Sequence, residues 1–337
     1  MPGTLRVGVI GTGNIGRGHA RRIAELTPNA ALVAVSDLDA ASAGAVAEKY
    51  GARREKDPLR LIAAPDVDAI IISSWDRTHE EYAVSCLESG KYVLCEKPLA
   101  VSPEGCGNIM AAEIKGGRRL LDVGFMRRYE NGYAQMKRAI DGGAVGNPLI
   151  VHAQHRNKRP QGEKHTTEMT ARASLVHEFD IVRWLLGDEY ESVQLVCPRK
   201  SRHADPDLAD PQVVYLRTRG GVCVDLEMFM NAWYGYDLQC EVVGEEATIR
   251  LPDPANLVWR KDGFCGREVF PSWSQRFESA YETEIREWAR HALLGRPDGP
   301  CAWDGYMASL TGELAVRSLR ERRVVEFPEE CRPEFYR

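Results

Sequence analysis

Long basic runs, membrane-length apolar stretches and paired cysteines are all missing from this sequence. No Lys/Arg run is long enough to follow a phosphate backbone and the formal net charge is -5, so nucleic acid is not an expected partner. No uninterrupted apolar stretch reaches the ~20 residues that cross a bilayer, and no membrane association is expected. Met1 leads almost directly into the apolar stretch Leu5 to Ile10, without the basic region, apolar core and cleavage site of a secretory signal. The nine cysteines (Cys86, Cys95, Cys106, Cys197, Cys223, Cys240, Cys265, Cys301, Cys331) are odd in number, scattered, and show no CxxC or Cys/His spacing. They argue against a disulfide framework and against any structural metal, and for a reducing cytoplasm. Repeats and low-complexity segments are absent as well.

What remains is an ordinary globular composition, 44% hydrophobic and 28% charged over 337 residues, long enough for two domains with separate cores. In the first part, apolar runs at Leu5 to Ile10, Ala31 to Ser36, Ala69 to Ile72, Tyr92 to Cys95 and Leu120 to Val123 alternate with helical patterns at Ile15 to Leu26, Ala40 to Tyr50 and Glu80 to Leu87. That rhythm predicts a doubly wound parallel sheet, an α/β Rossmann domain over residues 1–125. After a helix from Gly132 to Ile140 and a strand from Leu149 to Ala153 the signals turn antiparallel. Val213 to Arg219 and Val222 to Met230 are joined by Gly220-Gly221, and Leu238 to Val243 and Ala247 to Leu251 flank Gly244-Glu245-Glu246, two hairpin signatures. Val222, Val224, Leu226, Met228 and Met230 alternate with Cys223, Asp225, Glu227 and Phe229, the pattern of a sheet with two differently solvated faces. Two helices near Phe277 to Leu294 and Tyr306 to Leu319 complete an α+β domain over residues 126–337, with a large open, mainly antiparallel sheet and C-terminal segments able to pack back on the first domain.

Gly11-Thr12-Gly13-Asn14-Ile15-Gly16 follows the first strand and opens the first helix, the context that gives a GxGxxG pattern meaning. Gly11 makes the tight turn, Gly13 lets a pyrophosphate approach the backbone, and Gly16 allows close helix–strand packing. Asp37, at the end of the second strand, reads either as the acceptor for the adenosine ribose hydroxyls or as a helix N-cap. In the first case it repels a 2′-phosphate, and Leu38 and Asp39 supply no cation to offset this, so the expected cofactor is NAD rather than NADP. Ser73, Ser74, Trp75 and His79 after the next long strand, Glu96 and Lys97 after the one following, and Met126 lie at strand ends on the ligand side of such a sheet. Lys97 reads either as a proton carrier or hydroxyl orienter, or as a solvated lysine paired with Glu96. On a helix with Leu175, Phe179, Val182 and Leu186 as its apolar stripe, His177, Asp180 and Trp184 share a second face, which is either a pocket lining or a surface His–Asp pair.

Taken together, Glu96-Lys97-Pro98 and the glycine fingerprint resemble the Gfo/Idh/MocA oxidoreductases. The segments Gly124-Phe125-Met126-Arg127-Arg128-Tyr129, His155-Arg156-Asn157, Val176-His177-Glu178-Phe179-Asp180, Tyr234-Gly235-Tyr236-Asp237 and Ala302-Trp303-Asp304-Gly305-Tyr306 narrow this to the myo-inositol 2-dehydrogenase branch. The resemblance implies NAD-dependent oxidation of a cyclitol hydroxyl, most simply myo-inositol to 2-keto-myo-inositol, by a homotetramer whose second domain binds substrate and assembles through its open sheet. It implies Lys97 and His177 as catalytic residues, with His177 the general base; an imidazole whose unperturbed pKa is about 6.5 can take and return a proton near neutrality. Arg127, His155, Asn157, Asp180, Tyr236, Trp273 and Tyr281 are the implied substrate-binding residues.

One position departs from the family pattern. Where that pattern has an Asp four residues before the base, this chain has Ala173, and neither Arg172 nor Ser174 replaces a carboxylate. Two alternatives therefore stay open beside the cyclitol dehydrogenase: an enzyme for another inositol isomer, an aminocyclitol or a pyranose, and a sugar- and NAD-binding sensor without turnover.

Overall fold

The computed structural model describes residues 3–158, 164–253, 257–329 and 331–337. The chain forms two compact units, one of Met1–Met126, Tyr281–Leu310 and Cys331–Arg337, the other of Arg127–Ala280 and Thr311–Glu330. The division is not a single cut in the sequence, and the reason is packing: Ile285, Trp288, Ala289 and Ala292 lie in the same buried cluster as Val7, Val9, Ala69, Ile71 and Leu94 of the first sheet.

In the first unit β1 (Leu5–Ile10), β2 (Ala30–Ser36), β3 (Arg53–Arg54), β4 (Ala69–Ile72), β5 (Tyr92–Glu96) and β6 (Leu121–Gly124) form an all-parallel sheet in the order β3-β2-β1-β4-β5-β6. All four residues of β4 are buried, as expected where helices cover both faces of a parallel sheet. The strand order reverses beside β1, the place where such sheets take ligands at their C-terminal ends. Register brings three loops to that place, because Ile10 pairs with Ile72 and Ile72 with Cys95, so that Gly11, Ser73 and Glu96, the last residue of β5, follow side by side. Two helices without a sequence expectation, Pro58–Ala63 and Pro103–Gly116, complete the crossovers.

The second unit holds a seven-stranded mixed sheet, built from β7 (Pro148–Arg156), β8 (Tyr190–Val196), β9 (Gln212–Thr218), β10 (Cys223–Phe229), β11 (Asp237–Gly244) and β12 (Thr248–Arg250), with β13 (Val258–Lys261) and β14 (Phe264–Arg267) forming a separate two-stranded ribbon. With β15 (Val325–Glu326) at one edge, the order is β12-β11-β7-β10-β9-β8-β15, and only β7 and β10 run parallel. The alternation in β10 holds: Val224, Leu226 and Met228 are buried while Cys223 is exposed and Asp225, Glu227 and Phe229 are half-buried. On that second face His152 pairs with Asp225, and Arg156 makes a bidentate pair with Glu227 at 2.7 and 2.8 Å. The helix Val176–Leu186 is not the two-faced helix the sequence pattern suggested. Every residue from Val176 to Arg183 is buried, so its polar side chains are interior groups that need partners.

Candidate functional site

The three glycines of the loop after β1 differ in what they exclude. Gly11 has φ +92°, and a Cβ there would lie 2.4 Å from the Ser73 carbonyl oxygen; at Gly16 it would lie 1.8 Å from the Gly11 carbonyl oxygen. Both are therefore glycine because the chain itself leaves no room. Gly13 is different, since nothing lies within 4 Å of a Cβ built on it and its φ of -67° suits any residue. Gly13 caps the helix Asn14–Arg21 without a side-chain hydrogen bond, so the helix opens onto free space with uncapped N–H groups, the arrangement that holds an anion. The open space over Gly13 is a fit for a pyrophosphate.

Asp37 borders this loop. Its Oδ2 accepts from the Thr12 amide and from Thr12 Oγ1 at 3.0 Å, and its Oδ1 accepts from Asp39 N at 2.8 Å. The N-cap of the following helix, Ala40–Tyr50, is Asp39, which removes the capping alternative for Asp37. Ser73 Oγ donates to Gly11 O at 3.0 Å, Ser74 Oγ meets Thr78 Oγ1 at 2.7 Å, and Trp75 is 62% exposed with the Arg77 guanidinium 4.9 Å from its ring. His79 is buried, its Nδ1 2.8 Å from Pro98 O and its Nε2 3.1 Å from Ser74 O. It braces the β4 loop against the β5 loop.

Glu96 and Met126 are both buried. Glu96 Oε1 lies 2.7 Å from His19 Nε2, and Oε2 accepts from the Lys97 amide at 3.3 Å. Burial pushes this carboxyl up, but the His19 hydrogen bond and the charges of His19 and Lys97 outweigh it and hold it below its ordinary range. The half-buried Lys97 is thus fixed at its backbone by a buried carboxylate. Tyr281 also belongs to this unit, buried and packed edge-on to His19 at 5.8 Å with Arg22 4.9 Å from its ring.

In the second unit three of the expected substrate residues come together around one that sequence reasoning missed. Glu178 Oε1 is bonded by Arg127 Nη1 and lies 2.9 Å from His155 Nδ1. Arg127 Nη2 reaches Tyr236 Oη at 3.4 Å, and the His155 and Tyr236 rings meet edge-to-face at 5.4 Å. Burial alone pushes the Glu178 carboxyl up; the Arg127 and His155 charges overcome it and bring it down to about 2, while burial takes the Tyr236 phenol up to about 12. The cluster is therefore a buried ion pair with a neutral phenol at its edge. The only sequence signal for Glu178 was its place beside His177 in His177-Glu178-Phe179-Asp180.

Both oxygens of Asp180 accept from Arg128, through Nε at 2.9 Å and through Nη2, which fastens the turn that holds Arg128 to the helix. Asn157 is half-buried just beyond β7, its backbone tied to Phe229 and Ala232, and Trp273 is half-buried in the short helix Trp273–Arg276. His177 is buried in the first turn of Val176–Leu186. Ala173 lies in a π-helical turn, Thr170–Ser174, closed by the bond from Leu175 N to Thr170 O. The wider turn shifts residue 173 off the face it would share with 177 in a continuous α-helix. Arg172 is held by Glu313 at 2.8 Å and Glu168 at 2.8 Å, a surface network that leaves nothing of it to stand in for a carboxylate at 173.

The first unit supplies an uncapped helix end beside a fixed acidic side chain and a lysine anchored at a strand end; the second supplies a buried imidazole, His177, and the buried cluster of Arg127, His155, Glu178 and Tyr236. The family model for an oxidoreductase family with an NAD-binding Rossmann fold matches residues 5–125, and its companion for the C-terminal alpha/beta domain matches residues 137–327. The inositol 2-dehydrogenases of Burkholderia cenocepacia and Klebsiella pneumoniae are each 44% identical to this chain, over 336 and 337 residues, covering 99% of it and 99% of their own length. A myo-inositol dehydrogenase of Lactobacillus casei, solved in complex with NAD(H) and myo-inositol, aligns with a TM-score of 0.95 at 36% identity, covering 99% of this chain and 100% of that one. With both domains matched and the loops after β1, β4 and β5 in ligand-binding register, the chain belongs to the Gfo/Idh/MocA oxidoreductase family.

Proposed function

We infer that this protein is an NAD-dependent oxidoreductase that oxidises a cyclitol hydroxyl to a ketone, with myo-inositol to 2-keto-myo-inositol as its reaction. The observation that carries this reading is full-length similarity to inositol 2-dehydrogenases, and the open space above Gly13 supports the dinucleotide. Asn14, Ile15, Ser73, Ser74, Trp75 and Lys97 border the same loops, and Asp37, held in place by Thr12 and Asp39, favours NAD over NADP. NAD+ when bound supplies the hydride acceptor. In this reading His177 accepts the hydroxyl proton, Lys97 orients that hydroxyl, and Arg127, His155, Asn157, Tyr236 and Trp273 contact the remaining hydroxyls.

The glycine loop gives a test of the cofactor site. Gly13→Ala is expected to keep the melting temperature of the ligand-free protein and to weaken NAD+ binding about tenfold, roughly 1.4 kcal/mol. Gly16→Ala, whose Cβ would meet the Gly11 carbonyl oxygen at 1.8 Å, lowers the melting temperature before any ligand is added. Equal NAD+ affinity in parent and Gly13→Ala, by fluorescence titration, would remove the pyrophosphate from this loop.

Turnover itself is tested by following NADH from NAD+ and a panel of cyclitols and sugars, comparing the parent with Ala173→Asp. The carboxylate is expected to raise myo-inositol oxidation by about 10² or more, within the usual contribution of positioned proton transfer. Ala173 is also what favours a second reading, a non-catalytic sensor. A protein that binds NAD+ and cyclitol yet forms no NADH, before and after Ala173→Asp, is that sensor.

The second unit's open sheet face carries the 50% exposed Tyr215 beside the His152–Asp225 pair, and Trp233 is 65% exposed, a mix of aromatic and paired charged groups that a partner subunit can cover. It supports assembly as a homotetramer through this face; a monomer in light scattering at micromolar concentration would contradict that. No helix among the described residues is long and apolar enough to cross a membrane, and all nine cysteines are free.

A further inference from the structure

The helix Glu278–Leu294 carries one residue at odds with its surroundings. Ile285, Trp288, Ala289 and Ala292 belong to the apolar cluster under the first sheet, yet Glu284 is also completely buried, and neither of its carboxyl oxygens has a hydrogen-bond partner among the described residues. An ionised carboxylate without a partner is untenable in such an interior, and the group neutralises instead. Burial first, then the negative charge of Glu96, raise its proton affinity well above the ordinary value; Asp122 acts in the same sense and Arg22 against it.

Glu96 is the converse. It is also buried, but its oxygens are occupied by His19 and the Lys97 amide, and it stays ionised. Two interacting carboxyls in one low-dielectric interior hold a single negative charge more readily than two. Here the bonded one keeps the charge and the unbonded one keeps the proton. That single charge has a structural task, since Glu96 ties the helix Asn14–Arg21, through His19, to the loop that presents Lys97.

We propose that Glu284 is a positioning residue for Lys97, standing protonated beside Glu96 and, by limiting the cluster to one negative charge, preserving Glu96 as the anchor of His19 and of the Lys97 amide. The proposal rests on the reading that Lys97 serves cyclitol oxidation. The groups that face the pair are Arg22 after the first helix, His19 within it, Lys97 beyond β5, Asp122 on β6 and Tyr281 one turn earlier on the Glu284 helix. Because the folded-state affinity of Glu284 is raised above its unfolded value, the stability it confers is complete below the ordinary glutamate range and is lost as pH rises toward the raised value.

The test uses the full chain, labelled with carbonyl-¹³C glutamate. In the parent, an infrared carbonyl band of a protonated carboxylic acid is expected to persist at neutral pH and to be missing from Glu284→Gln. The parent's melting temperature falls more steeply than that of Glu284→Gln between neutral and alkaline pH, and the alkaline arm of its kcat/KM profile moves upward in the variant. Absence of the band in the parent overturns the proposal without any variant having to fold. A band present with an unmoved alkaline arm makes Glu284 a structural acid only and overturns its link to Lys97. If no cyclitol is oxidised by either protein, the functional reading fails and the link to Lys97 with it, while the band and the melting slopes still report the state of Glu284.

Discussion

Replacing His177 by Asn is expected to lower kcat/KM for myo-inositol oxidation by about 10² to 10⁴, the usual worth of a positioned general base, with NAD+ affinity unchanged. The residue stands in the first turn of a helix buried on nearly all sides, so its ring is held by packing, and Asn occupies much of the same space without the basic nitrogen. A base is needed because hydride cannot leave the carbon while the hydroxyl keeps its proton. Loss of the acid arm of the pH–rate profile, with the residual rate flat through neutrality, would identify the imidazole as the group titrating there. An equal change in KM with kcat intact would instead make His177 a binding contact. The comparison belongs in both the parent and the Ala173→Asp background, since residues that act as one unit are not additive. If Ala173 has already cost the parent most of its proton transfer, the His177 effect will be smaller there.

The first unit was legible because local signals and topology agree. Five of its strands announce themselves as apolar runs, and the glycine loop is placed by the strand before it. The helices Pro58–Ala63 and Pro103–Gly116 have readable starts, an Asp57 and a Ser102 cap each followed by proline. What could not be read was which core a helix serves. The pattern of Glu278–Leu294 predicts an apolar face but not that Trp288 joins the first sheet. The same limit governs the site. Sequence spacing put His177 and Asp180 on a polar face, yet Asp180 is bound by Arg128, 52 residues away, and His79 by the Pro98 carbonyl of the next strand's loop. Periodicity reports the direction of a side chain and is silent about the partner that meets it. The π turn at Thr170–Ser174 likewise has no proline or glycine to mark it, and it changes what lies beside residue 173.

Glu178→Ala should destabilise the protein by about 3 to 5 kcal/mol, the cost of leaving one member of a buried ion pair alone. Arg127 is 1% exposed and Glu178 2%, so the guanidinium left behind has no water to turn to and cannot shed its proton. The pH dependence has a definite sign. Burial opposes ionisation of Glu178, but Arg127 and His155 bring its carboxyl down to about 2 from 4.5, so its stabilising effect is complete above the unfolded value and is lost as pH falls toward 2. That depression corresponds to about 3 kcal/mol, of the same order as the expected loss. Urea unfolding from neutral to acid pH should show the parent weakening across this window and Glu178→Ala nearly flat in it. The decisive comparison is the double variant Arg127→Met with Glu178→Leu. Because a buried pair repays little more than its own desolvation, apolar residues of similar volume should restore most of the lost stability. They cannot restore the hydrogen bonds that orient His155 and Tyr236, so KM for the cyclitol should stay raised in a protein that is again stable. Recovery of both would mean the pair was there for folding alone; recovery of stability without affinity would assign Glu178 to holding the hydroxyl-binding side chains in place.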